Sequence, residues 1–598
     1  MRFFALWSCI VSLGLACARA QPGPSDPPPS PSSQPATTPP VTVETVEYVL
    51  SPVLEGGRLT ALAVEIRLRG GPTGVTRLKL PDTWADARDL RRYVRDIEVD
   101  GGEFLLSAND LLLSIHATAG APLVVRYNVV SAFDRDPTAS DGQPFAPIVR
   151  PDWFYVFGEA LFAEPVGGLD VPARFRWTGA PAGFGFASDL EHLAGARPGV
   201  VGDVMESIVI GGPGLKLRAR EHGGGQLRVA IIGEYGFAED AFMALALAVI
   251  AAHRDFWGDQ GAPFLIAMAP LQPVQGVQSL GGTGRTDAFA LTVTRDSPIE
   301  PLRHLLAHEY FHTWNPRELG AQHEDTEMPG KWFTEGFTEF YTWRLLLRAG
   351  LYSLEDFTAE WNAALLEYGT SPVRTEPNAR IARDYWNDQD VSRLPYRRGP
   401  LLAAIWEQRL RQATAGARDL DDVLIAMRDE VRAAPDHARL PDAAALFPTT
   451  YQRLGGDDIG NKLGADLERF VERGEAIELP TDVFGECIRV QTSKRPRFER
   501  GWDPAATRKA DNVVTGLRRG SPAHRAGLRD GMKLLELESG ATNDSTVAYV
   551  LRVRDGERER RITFMPRGAD EISIQQLVLV GGLTPDRRAA CIRALSGQ

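Results

Sequence analysis

His308, Glu309, Tyr310, Phe311 and His312 form an HExxH motif, and the run PLRHLLA immediately before it is compatible with a helix. On a helix, positions i and i+4 share one face, so both imidazoles can reach a single ion. Leu305, Leu306, Tyr310, Phe311 and Trp314 surround the motif and make this helix too apolar to lie exposed. The motif therefore demands a sizeable domain that buries the helix and supplies a further ligand from elsewhere in the chain.

Two imidazoles, an adjacent carboxylate and an open position suit zinc, one ion per chain, because zinc takes nitrogen and oxygen ligands and leaves a site for water. Zinc brings the pKa of bound water close to neutrality, and Glu309 is placed to take its proton as it attacks a carbonyl. A metzincin would carry Gly at 315 and His at 318, where this chain has Asn315 and Glu318, so that class is excluded. The third ligand is sought in WFTEGFTEFY, residues 332–341, an amphipathic helical pattern with Phe333, Phe337 and Tyr341 on one face. Glu335 is one candidate, and Gly336 after it would let two helices approach closely. Glu339, one turn on, is the rival, equally able to orient a ligating histidine from behind. His304, one turn before His308, reads as a packed or similarly supporting residue.

The remainder of the 598-residue chain divides by composition. Residues 1–20 read as a secretory signal: Arg2, an apolar run from Phe3 to Ala16, then Ala18-Arg19-Ala20. About fourteen apolar residues fall short of the roughly twenty that span a bilayer, so cleavage and export to the periplasm or beyond are expected, with no transmembrane segment afterwards. Lipid attachment at Cys17 is the alternative. Residues 21–40, almost entirely Pro, Ser, Gly, Gln and Thr, read as a disordered linker. Residues 41–227 hold short alternating segments between turn-like stretches and predict an antiparallel β domain. Residues 228–485 are dominated by helical patterns around the metal motif. Residues 486–567 return to strand-and-turn character, and 568–598 read as a C-terminal tail. A formal charge of −12 argues against nucleic acid as a partner. After signal removal the two remaining cysteines, Cys487 and Cys591, form either one disulfide or two buried thiols.

Three stretches, HEYFHTWN at 308–315, WFTEGFTEFY at 332–341 and LPYRRGPLLAAIWEQRLR at 394–411, resemble the gluzincin metallopeptidases, and within them the glycyl aminopeptidase family that carries a PDZ domain. The resemblance implies a multidomain α+β fold: an N-terminal antiparallel β domain, a thermolysin-like, mainly helical catalytic domain and a C-terminal PDZ-like β-rich domain. It implies His308, His312 and Glu335 as ligands, and Tyr396 as a donor to the oxyanion of the tetrahedral intermediate, a role worth several kcal/mol in comparable sites. The family's GGLEH-type strand, whose Glu holds the substrate's α-amine, corresponds here to 279–289, SLGGTGRTDAF. Gly281, Gly282 and Arg285 are the candidate substrate contacts. With Thr283, Gly284 and Arg285 where the acid stands in the family, dependence on a free amine is expected to weaken.

Residues 512–538 resemble the core of a PDZ domain, with Gly527 ending a short helix and Gly531 in the next turn. The module from 486 to 567 carries 18 Lys plus Arg against 11 Asp plus Glu. That excess suits acidic partners, including a peptide C-terminus. The expected function is thus zinc-dependent hydrolysis of peptide or protein substrates, with aminopeptidase action as the family's implication. The alternative is an inactive metallopeptidase-like binding protein that recruits partners through the PDZ-like module.

Overall fold

The computed structural model describes residues 45–598 apart from 143, 195–198, 224, 260, 275–276, 322 and 436–439. The expected signal and linker, 1–20 and 21–40, lie outside the described residues. The described residues form two compact units: one from 45–247 with 259–302, the other from 248–258 with 303–598.

The first unit is β-rich, as the alternating segments predict. Val46–Glu55 and Arg58–Arg69 pair antiparallel, and Pro122–Val129 extends the same six-stranded sheet. Their apolar residues, Tyr48, Leu62, Val64, Ile66, Val125 and Tyr127 among them, point into one continuous core. The expectation of a purely antiparallel domain needs correction: Val46–Glu55 also pairs in parallel with Pro172–Trp177. The expected limit at 227 falls inside a strand, Gly225–Ile231. That strand belongs to a five-stranded sheet with Lys216–His222, Phe264–Leu271, Leu280–Gly284 and Ala288–Thr294. Phe264–Leu271 and Ala288–Thr294 are buried at every position and pair in parallel. A strand covered on both faces reads as a continuous apolar run, so the period-two signal is absent.

The second unit is helical where the motif lies. Glu300–Phe311 leads into the metal motif, Lys331–Thr334 and Gly336–Arg348 flank Glu335, and Gln389–Ala413 carries Tyr396. Ser353, Asp388 and Asp419 each cap a following helix by accepting from backbone N–H groups, satisfying donors that lack an intrahelical partner. Gly336 permits a close helix crossing, but its neighbour is not the HExxH helix. A Cβ built on Gly336 would lie 2.4 Å from Cα of Gly399, and one on Gly399 would lie 2.1 Å from the carbonyl oxygen of Trp332. Glycine on glycine thus sets the spacing between Glu335 and Tyr396.

Beyond 485, Lys533–Ser539, Tyr549–Asp555 and Arg558–Phe564 form a three-stranded sheet, with short helices Pro504–Lys509 and Pro522–Arg525. Val514, Leu528, Met532, Leu551, Val553 and Ile562 give this module its own core. The stretch expected as a tail is ordered: strand Arg567–Leu579 pairs with Ile488–Phe498, and helix Pro585–Ser596 follows. A Cys487–Cys591 disulfide joins that helix to the start of the strand pair. Among the described residues, no helix is long and apolar enough to cross a membrane.

Candidate metal centre

The helix Glu300–Phe311 ends one residue before His312, which sits in the turn that continues it. Pro316, with no N–H to donate, prevents a regular extension. His312 is fixed there by its own loop: Nδ1 donates to the carbonyl oxygen of Asn315 at 2.8 Å, which leaves the Nε2 lone pair for a metal. Asn315, fully buried, uses its side-chain amide to reach the carbonyl oxygens of Phe333 and Thr334 at 3.3 and 3.2 Å and Oγ1 of Thr338 at 3.1 Å. One side chain thereby ties the histidine loop to the segment that carries Glu335.

Three donor atoms converge. Nε2 of His308 and Nε2 of His312 are 3.2 Å apart, and Oε2 of Glu335 lies 3.4 Å from each. A tetrahedral ion with bonds of about 2.0–2.1 Å needs ligand atoms about 3.3–3.4 Å apart, so this triangle has the dimensions of one face of a zinc polyhedron. Oε2 of Glu335 is buried with no hydrogen-bond partner among the described residues, an orphaned acceptor that a cation would satisfy. The residues fit zinc. Glu309, 4% exposed, brings a carboxylate oxygen within 4.8 Å of one ring nitrogen of each histidine.

Electrostatics hold Glu335 and His308 in the states a metal requires. Burial would raise the Glu335 carboxyl, but Lys331 and His312 outweigh it and hold the group well below the usual range. Burial, only partly offset by Glu335, lowers His308, favouring its neutral, ligating form. Burial alone would lower His312 as well, and the carboxylates of Glu335 and Glu309 turn the net shift upward. A metal ion would compete with that proton for Nε2. Burial and then Glu335 push the Tyr396 phenol well above its ordinary value, so it remains a hydrogen-bond donor.

A second row of charges stands behind the histidines. His304 Nε2 meets Glu339 Oε2 at 3.0 Å, and the same oxygen lies 4.0 Å from Nδ1 of His308, beyond direct hydrogen-bond reach. Arg397 reaches Oε1 of Glu339 at 3.4 Å and Glu367 at 2.7 Å. Burial opposes ionisation of Glu339, but His304, His308 and Arg397 bring its pKa to about 2. Glu339, the rival ligand on sequence grounds, is thus engaged with His304 and Arg397, while Glu335 faces both Nε2 atoms. Tyr396 stacks near His308, with ring centroids 5.8 Å apart, and its hydroxyl meets that of Tyr385 at 3.4 Å.

Residues 301–392 match the family model described as M61 glycyl aminopeptidase. The chain is a peptidase. Across the fold, the peptidase is similar to an aminopeptidase N family protein from Idiomarina loihiensis, with a TM-score of 0.62 and 14% identity over 92% of this chain and 100% of that one. It also matches an M1 zinc metallopeptidase from Deinococcus radiodurans, with a TM-score of 0.45 and 16% identity over 74% of this chain and 96% of that one. No curated protein matches its sequence.

The remaining sequence candidates of the peptidase lie in its β-rich unit. Gly281 and Gly282 are on the strand Leu280–Gly284, where a Cβ at Gly282 would strike the Phe289 ring. Arg285 is buried, pairs with Glu159 at 2.5 Å, donates to the carbonyl oxygens of Glu206 and Met205, and covers the Trp84 ring. Its charge is thus compensated inside its own unit. Sequence reasoning missed Asn315, Lys331, Tyr385 and Arg397. Only Lys331 carried a readable signal: a lysine one helical turn before Glu335 in an otherwise apolar segment.

Proposed function

We propose that the protein hydrolyses peptide bonds at a zinc ion held by His308, His312 and Glu335, with Glu309 as general base and Tyr396 as oxyanion donor. The observation that carries this reading is the triangle of 3.2, 3.4 and 3.4 Å among the three donor atoms. Zinc bound there supplies a Lewis acid and lowers the pKa of a coordinated water. Glu309 removes the proton from the attacking water and delivers it to the leaving amine. Tyr396 keeps its phenolic proton and donates it in a hydrogen bond to the developing oxyanion, while Asn315 holds His312 in the tautomer with a free Nε2.

The substrates are peptides or proteins. Cleavage with reduced dependence on a free α-amine is the specificity we propose, because the stretch 281–285 offers no carboxylate. Comparing free and N-acetylated versions of one peptide tests it, and strict dependence on the free amine contradicts it. Export through the 1–20 signal and peptide binding at the basic, PDZ-like module of 486–567 complete the reading. N-terminal sequencing of the mature protein checks the first, and titration of that module with carboxylate-terminated peptides checks the second.

A further inference from the structure

Lys331 is a cation in a place where cations are costly. Its side chain is 3% exposed, and Nζ lies 3.0 Å from Oε1 of Glu335 and 3.4 Å from Oε1 of Glu327. The ring of Tyr385 covers it from 5.8 Å. Glu335 itself is 1% exposed. A buried ion pair of this kind gains little stability over a well-packed apolar pair, so stability alone does not account for it. Geometry offers a reason. The two oxygens of Glu335 have separate duties: Oε2 faces both histidine nitrogens, and Oε1 is occupied by the ammonium. The backbone carries the pair rigidly, since the N–H groups of Glu335 and Glu339 donate to the carbonyl oxygens of Lys331 and Glu335 without interruption.

We propose that Lys331 is a positioning residue for the metal centre, pinning Oε1 of Glu335 so that this carboxylate offers zinc one oxygen rather than two. A carboxylate with both oxygens free can chelate and occupy the place that catalysis needs for water. With Oε1 held, His308, His312 and Glu335 contribute three donor atoms and the fourth position stays open. The ammonium also draws charge from the carboxylate, leaving the bound ion a stronger Lewis acid. This inference rests on the metal-centre reading above.

The test is cobalt substitution of the full-length mature protein, because four-coordinate cobalt(II) absorbs visible light more strongly than five-coordinate cobalt(II). Lys331→Met is expected to weaken the visible band and to lower kcat with little change in KM. Lys331→Arg, which keeps a cationic donor, is expected to restore the band. Should Lys331→Met fail to fold, Lys331→Leu, which also lacks a donor, is read by the same spectrum. An unchanged cobalt band in a folded neutral variant overturns the proposal, whatever its activity. If the unsubstituted protein takes up neither zinc nor cobalt, the metal-centre reading fails instead.

Discussion

At the scale of single residues, the centre is built from pairs in which one member binds and the other aims. Asn315 aims His312 through its main-chain carbonyl and grips the Glu335 segment through its amide. Replacing it with alanine removes the amide contacts that tie the histidine loop to the Glu335 segment. Asn315→Ala is expected to weaken zinc binding about 10–100-fold, measured by chelator competition, with smaller effects on the fold of the β-rich unit. On the proposed mechanism Tyr396 acts differently, because its hydroxyl would serve the transition state rather than the ion. Tyr396→Phe should lower kcat about 100–1,000-fold with KM and zinc content nearly unchanged. A fall in zinc content instead would assign Tyr396 a structural role.

At the scale of elements, the decisive contact is the crossing of Gly336 and Gly399. A methyl group at 399 meets backbone atoms rather than a flexible side-chain end, so the helices must separate. Gly399→Ala is expected to destabilise the catalytic unit by about 1–3 kcal/mol, read as a lowered unfolding midpoint, and to reduce activity by moving Tyr396 from Glu335. The helices of this site were legible in sequence because HExxH and the aromatic stripe of Phe333, Phe337 and Tyr341 follow helical spacing. Identifying Glu335 rather than Glu339 needed the family resemblance, since spacing alone left both open. The partners of the crossing were not legible: Gly336 announced a close approach, but nothing in its neighbourhood named Gly399. The strands Phe264–Leu271 and Ala288–Thr294 were missed for a related reason, since buried parallel strands and buried helices both read as unbroken apolar runs. Arg397 was hidden because its role depends on Glu339 and Glu367, which lie on two other helices.

At the scale of the whole molecule, the C-terminal helix Pro585–Ser596 belongs to the catalytic unit rather than trailing from it. Arg348, at the end of the helix that starts at Gly336, donates Nε to the carbonyl oxygen of Ser596 at 2.7 Å. Arg411 donates to that of Ala594 at 3.0 Å. The Cys487–Cys591 bond closes a sequence separation of 104 residues, and constraining a loop of about 100 residues in the unfolded chain is worth about 4.7 kcal/mol in the chain-entropy picture. The double variant Cys487→Ser, Cys591→Ser should therefore melt at a clearly lower temperature, and an unchanged melting temperature would contradict the prediction. Removing zinc should also lower the melting temperature, with the loss restored by added zinc in proportion to the logarithm of its concentration.

The account stands on a division of labour in which His308, His312 and Glu335 hold the ion while Glu309 moves the proton. The most direct test is peptide turnover by zinc-loaded Glu309→Gln, with zinc quantified in the same sample. The account predicts one zinc per chain and a turnover reduced at least about 100-fold. Turnover near that of the unsubstituted protein, with zinc bound, would contradict it.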